Sequence, residues 1–199
     1  ALFVDVPPSQ AGLSAEEGAM EHITSPAVSA SAAERAFQQG IQLLTKGLLD
    51  QGQQWLESAL QLSPQHIEAQ IILANYYLAT GGLDRAEELI RVLDENRVPT
   101  TTRLNLTAEL HLKRNRPEKA KRLFTQSMAL NPTIDASVGL SSAMIQLGEQ
   151  DEAEQLLRTV IAQSDNCAAA YSALSECIMP GPDYQAVLAR IHAMTKPDT

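Results

Sequence analysis

Catalysis needs polar groups that converge, and the side chains able to do chemistry are thinly spread in this sequence. His22, His66, His111 and His192 show no metal-type spacing and no Cys or carboxylate pairing beside them. No serine sits in a Gly-x-Ser-x-Gly turn, and no glycine-rich phosphate loop occurs. Cys167 and Cys177 are ten apart on one predicted helix, so their α-carbons would stand about 15 Å apart. A disulfide needs about 7 Å, so both read as buried free thiols. One cationic cluster stands out: Lys113, Arg114, Arg116, Lys119, Lys121 and Arg122, with only Glu118 among them. It reads either as a site for an acidic partner segment or as a solvated turn facing Glu87, Glu88, Glu149 and Asp151. The expectation is a chain without an active site, cofactor or metal.

What must position these residues is a repeat. A turn residue is followed five positions later by a small one: Gly47 and Gly52, Gly81 and Ala86, Asn115 and Ala120, Gly148 and Ala153. The turn residues recur at 34, 34 and 33 positions. A fixed period of this length marks one supersecondary unit, too small to bury its own apolar face and stable only when stacked on neighbours. The chain is 44% hydrophobic but only 4% aromatic. That composition suits helices packed through small contacts.

Apolar spacing predicts helices near 32–46 and 50–62, 67–80 and 84–95, 101–114 and 117–130, then 134–147 and 151–163. Pro64, Pro99 and Pro132 close units, and Pro117 opens a helix where its missing N–H costs nothing. A fifth unit starts at about 167, but Pro180-Gly181-Pro182 cuts its first helix short; a second helix follows at about 183–194. Residues 1–31 read as an irregular leader. Ser14 and Glu17 have capping-box spacing there, which predicts a short helix over 15–22 whose Met20 and Ile23 dock on the first unit. Residues 195–199 form a tail.

These units resemble tetratricopeptide repeats. With the first unit starting at 33, the family's small residue at position 8 falls on Gly40, Ala74, Ala108 and Ser141, and that at position 20 on Gly52, Ala86, Ala120 and Ala153. Position 24 falls on Leu56, Ile90, Phe124 and Leu157. The resemblance covers 33–194 and implies an all-α fold, a right-handed superhelical α-solenoid of antiparallel helix pairs. Its units would span about 33–66, 67–100, 101–133 and 134–166, with a degenerate capping unit at 167–194. His111 takes the position-11 slot and reads as a packed histidine.

The resemblance also implies a concave groove lined by the first helix of each unit. Its partner-binding residues would be Phe37, Ile41, Ile71, Asn75, Asn105, Glu109, Lys113, Ser142 and Gln146. Leu44, Leu78, Thr102, Leu112, Asp135, Val138 and Ile145 lie on the same rows. Such a surface suits a protein or peptide segment, held through its backbone by Asn75 and Asn105. Phe37 and Ile41 stand either as apolar anchors or as the seat of the leader helix. They replace the Lys and Asn of the carboxylate-clamp subtype, which excludes that subtype.

The predicted function is a non-catalytic interaction scaffold. The alternative is the regulatory or substrate-presenting part of a larger enzyme such as a transferase. A homo-oligomer through the fifth unit's apolar end is a third reading. A net charge of −9 argues against nucleic acid or an anionic membrane as partner. No 18-residue apolar run is present to insert into a membrane. Ala-Leu-Phe-Val is too short for a signal-peptide core. A cytoplasmic location is expected, or a periplasmic one if Ala1 is a processed terminus.

Overall fold

The computed structural model describes residues 26–95, 98–178 and 180–195. Among them are ten α-helices and no strand. They are α1 (Pro26–Thr45), α2 (Leu49–Leu62), α3 (Ile67–Thr80), α4 (Leu83–Glu95) and α5 (Thr100–Lys113), then α6 (Pro117–Leu130), α7 (Ile134–Leu147), α8 (Gln150–Gln163), α9 (Ala168–Cys177) and α10 (Pro182–Thr195). Most boundaries follow the apolar spacing. The clear exception is α1, which starts at Pro26 rather than near 32, so the end of the expected irregular leader is helical. Pro26 suits that place because a first-turn proline loses no intrahelical bond. The helix expected over 15–22 and the tail from 196 lie outside the described residues.

The turns explain the period. Gly47, Gly81 and Gly148 have φ of 77°, 86° and 80°, and Asn115 has φ of 54°. This left-handed region is penalised by a Cβ, which is why Gly, or Asn at a cost, recurs there. At three of the four turns the same two bonds close the helix end. Leu48, Arg116 and Glu149 donate their N–H to carbonyls five residues back, and Gly47, Asn115 and Gly148 donate to carbonyls three back. The α9 helix has no such turn; it ends after 10 residues at an extended Ile178, just before Pro180.

The chain divides into two compact units, Ala1–Ala69 and Gln70–Thr199. In the first, α1 packs on α2. Gly40 and Gly52 permit the contact: a Cβ on Gly52 would meet Leu44 at 2.6 Å, and one on Gly40 would meet Leu56 at 2.9 Å. In the second, α5 through α10 pack in sequence, and α7 also touches α5 and α9. Ala74, Ala86, Ala108, Ala120, Ser141 and Ala153 are fully buried, as their small-residue positions require. One core gathers Ala108, Ala120, Phe124, Ala136, Leu140 and Ala143. The next holds Leu157, Val160, Ala170, Ala173, Leu174 and Val187. Cys167 and Cys177 are free, at opposite ends of α9, and half-buried rather than buried.

Candidate functional site: a polar groove in the second unit

In the second unit the first helices α5, α7 and α9 lie side by side, and with part of α3 they line a groove of about 720 Å³. Ile71 and Asn75 of α3 line it, with Thr101, Thr102, Asn105, Leu106, Glu109 and Leu112 of α5. Asp135, Val138, Gly139 and Ser142 come from α7, and Cys167 and Ala169 from the start of α9. Phe124 of α6 supplies an aromatic floor. The near-constant repeat length puts Ile71, Asn105 and Val138 in one row and Asn75, Glu109 and Ser142 in a second.

The groove's polar groups differ in what is left to offer. Ser142 donates its hydroxyl to the Val138 carbonyl at 3.1 Å, and Thr133 accepts from the Ala136 N–H at 3.2 Å as the cap of α7. Asn75 is exposed. The side-chain oxygen of Asn105 is buried and accepts no hydrogen bond among the described residues. A buried amide oxygen without a donor costs about 1–3 kcal/mol, a cost that a bound N–H removes. Among the described residues of the lining, Glu109 and Asp135 are the only carboxylates, and no described Lys, Arg or His accompanies them.

Of the expected partner-binding residues, Ile71, Asn75, Asn105, Glu109 and Ser142 converge here. Lys113 and Gln146 are exposed one turn further along α5 and α7 and are not part of the lining. Phe37 and Ile41 belong to the first unit and are half-buried. Sequence spacing misses Phe124, Asn131, Thr133 and Cys167, because floor and rim come from a second helix and from loops, and it misses Gly139, which stands next to the Val138 row on α7. The Asn-Pro-Thr at 131–133, which breaks the chain between units, was the signal available for the rim.

Two histidines depart from or refine the sequence reading. His66 is not without carboxylates: its ring lies 3.3 Å from both Glu34 and Glu68, and it packs at a tilt of 37° against Phe37 with centroids 4.6 Å apart. Glu34 comes from 32 residues away, which local spacing does not reveal. The Gln38 amide donates to Glu34 at 2.8 Å and holds that carboxyl below its usual range, with His66 adding to the effect. His111 is half-buried between helices, as expected of a packed histidine, with its Nδ1 buried and without a partner among the described residues. Burial pushes its pKa down, and Lys119, Arg116 and Arg114 push the same way.

The cationic cluster is partly neutralised. Arg114 donates to Asp84 at 3.1 Å and to Glu87 at 2.7 Å, and Lys121 pairs with Glu149. Asp84 was not among the acidic neighbours expected, while Glu88 and Asp151 make no ion pair among the described residues. Exposed pairs of this kind contribute about 0–1 kcal/mol each. Among the described residues no group of three or more His, Cys, Asp or Glu is placed to hold a metal ion. No described helix is long and apolar enough to cross a membrane.

Paired helices of fixed period, stacked so that first helices share a continuous face, define the class of helical-repeat interaction proteins. The tetratricopeptide repeat profile matches residues 32–110 and 111–177, and the chain belongs to that family. It is accordingly a protein–protein interaction scaffold in general character, of a family whose members are generally non-catalytic. No curated protein matches the sequence. Among solved structures, the thermophilic TPR protein TTC0263 of Thermus thermophilus is 24% identical, with a TM-score of 0.70 over 82% of this chain and 90% of that one. PilW, a widely conserved type IV pilus biogenesis factor, is 18% identical, with a TM-score of 0.65 over 84% and 79%. YrrB, described as a TPR protein with an unusual peptide-binding site, is 16% identical, with a TM-score of 0.51 over 92% and 93%. At these identities the likeness is one of fold.

Proposed function

We propose that the groove of the second unit binds an extended segment of a partner protein that carries an apolar side chain beside a Lys or Arg. The observation that carries this reading is the buried oxygen of Asn105, without a hydrogen-bond partner among the described residues and set among apolar walls and two carboxylates with no described cation. A backbone N–H of the segment satisfies Asn105, an apolar side chain covers Phe124, and a cation offsets Glu109 and Asp135. Asn75, Ile71 and Ser142 complete the contact surface; Lys113 and Gln146 meet residues that continue past its edge. A peptide is also the ligand class named for YrrB.

The test uses the full chain and two pools of fluorescently labelled extended peptides, one pairing apolar residues with Lys or Arg, the other with Asp or Glu. Anisotropy is expected to rise with the basic pool only. Asn105→Ala should weaken that binding about tenfold, near 1.4 kcal/mol, as loss of one buried hydrogen bond does. Equal binding of both pools, or full affinity in the variant, would refute the reading.

A further inference from the structure

Six of the chain's 15 Lys and Arg, but one of its 24 Asp and Glu, fall within residues 113–122. In an acidic chain that concentration makes a local positive field. Arg114 is engaged by Asp84 and Glu87, and Lys121 by Glu149. Lys113, Arg116, Lys119 and Arg122 are exposed and make no ion pair among the described residues. Even Glu109 and Lys113, one turn apart on α5, do not pair. The cations act together at a neighbouring group: burial is the main cause of the low His111 pKa, and Lys119, Arg116 and Arg114 each push it further down.

This cationic ridge stands past one edge of the groove. Lys113 lies one turn beyond Glu109, and the α5–α6 turn carries Arg116 and leads into Lys119 and Arg122. The opposite edge is built from Thr101 and Thr102 at the start of α5 and from Thr133 and Asp135 at the start of α7. Along α5 and α7 the field therefore changes sign, from the carboxylates of Asp135 and Glu109 to the ridge. From Thr102 to Lys113 is about 16 Å of helix, the reach of about five extended residues.

We propose that the segment held by the groove crosses it in one direction and carries acidic residues about five positions from its Lys or Arg, where they meet Lys113, Arg116, Lys119 and Arg122. This rests on the groove reading above and adds to it the charge order and direction of the partner segment. The acidic remainder of the chain repels a long polyanion, so a short acidic stretch is what fits. Such a stretch is not held by itself, because exposed pairs are individually weak and a free peptide loses its freedom on binding. Tethered to a segment already seated in the groove, the same contacts act at high effective concentration.

The test takes the full chain and an extended peptide from the basic pool, plain and with a run of glutamates set about five residues from its Lys or Arg, on the N-terminal side in one version and the C-terminal side in another. In anisotropy titrations at about 0.15 M salt, one of the two versions is expected to bind about tenfold tighter than the plain peptide, and the gain to vanish at about 1 M salt. Arg116→Gln with Lys119→Gln and Arg122→Gln should abolish the gain, leaving the plain peptide's affinity within about twofold and the thermal midpoint unchanged. Equal gain from both versions, or a gain that survives in the variant, overturns the proposal. A plain peptide that fails to bind sinks the groove reading and this one with it, whereas a plain peptide that binds but gains from neither version sinks only this one. A mass above 21.6 kDa that falls to the monomer with salt and in the variant assigns the ridge to a second copy and likewise overturns it.

Discussion

Phe124 lies directly under Gly139. A Cβ built on that glycine would stand 2.3 Å from the ring's Cζ, well inside van der Waals contact. The ring is 2% exposed and belongs to the core shared by α5, α6 and α7, so it has no free direction in which to move. The same pair lines the groove, which ties the packing of the second unit to the shape of its binding surface.

Gly139→Ala is therefore expected to destabilise the protein by about 1–3 kcal/mol through overpacking. The sign is opposite to the gain that a helical Gly→Ala usually brings, roughly 0.5–1 kcal/mol. Urea unfolding followed by circular dichroism gives the answer; a variant as stable as the parent would show that the ring yields.

Asn115 holds a left-handed conformation where the other turns use glycine. Asn115→Gly should leave stability unchanged or raise it slightly. Asn115→Val should cost about 1–2 kcal/mol, because a branched Cβ clashes with the following carbonyl in this region. The ratio of the two thermal midpoints tests the turn without touching the groove.

His111 titrates against the fold. Its folded pKa is pushed below the ordinary 6.5, chiefly by burial, so the folded chain binds fewer protons than the unfolded one near that pH. Its contribution is complete above the unfolded value and is lost as pH falls through the lowered folded value. His111→Phe should flatten this part of the stability–pH curve, and denaturant midpoints between pH 7.5 and pH 5 measure it.

The two groove carboxylates make a separate electrostatic prediction. Glu109→Gln with Asp135→Asn should weaken binding of a basic peptide and reduce its salt dependence, while leaving thermal stability close to that of the parent. Titrations at two ionic strengths separate this from a packing defect, which would lower affinity equally at both.

Helix order and most boundaries were legible in the sequence because they depend on short-range physics. Gly47, Gly81, Asn115 and Gly148 sit where the backbone must turn left-handed, and Ala74, Ala86, Ala108 and Ala120 where helices approach closely. Those constraints act within one unit and repeat with it. The start of α1 was misread because the Ser- and Ala-rich run after Pro26 carries little apolar period, although it is compatible with a helix.

By itself, then, the sequence determined the repeat, its turns and the face each helix would bury. Only the tertiary structure decided which side chains meet across units: His66 between Glu34 and Glu68, Arg114 on Asp84 and Glu87, and Phe124 beneath Gly139. It also separated Asn105 and Glu109, which line the groove, from Lys113 and Gln146, which do not. The reason is geometric. A helical period fixes direction around one axis, whereas contact between residues tens of positions apart depends on how the axes cross and how far each helix is rotated.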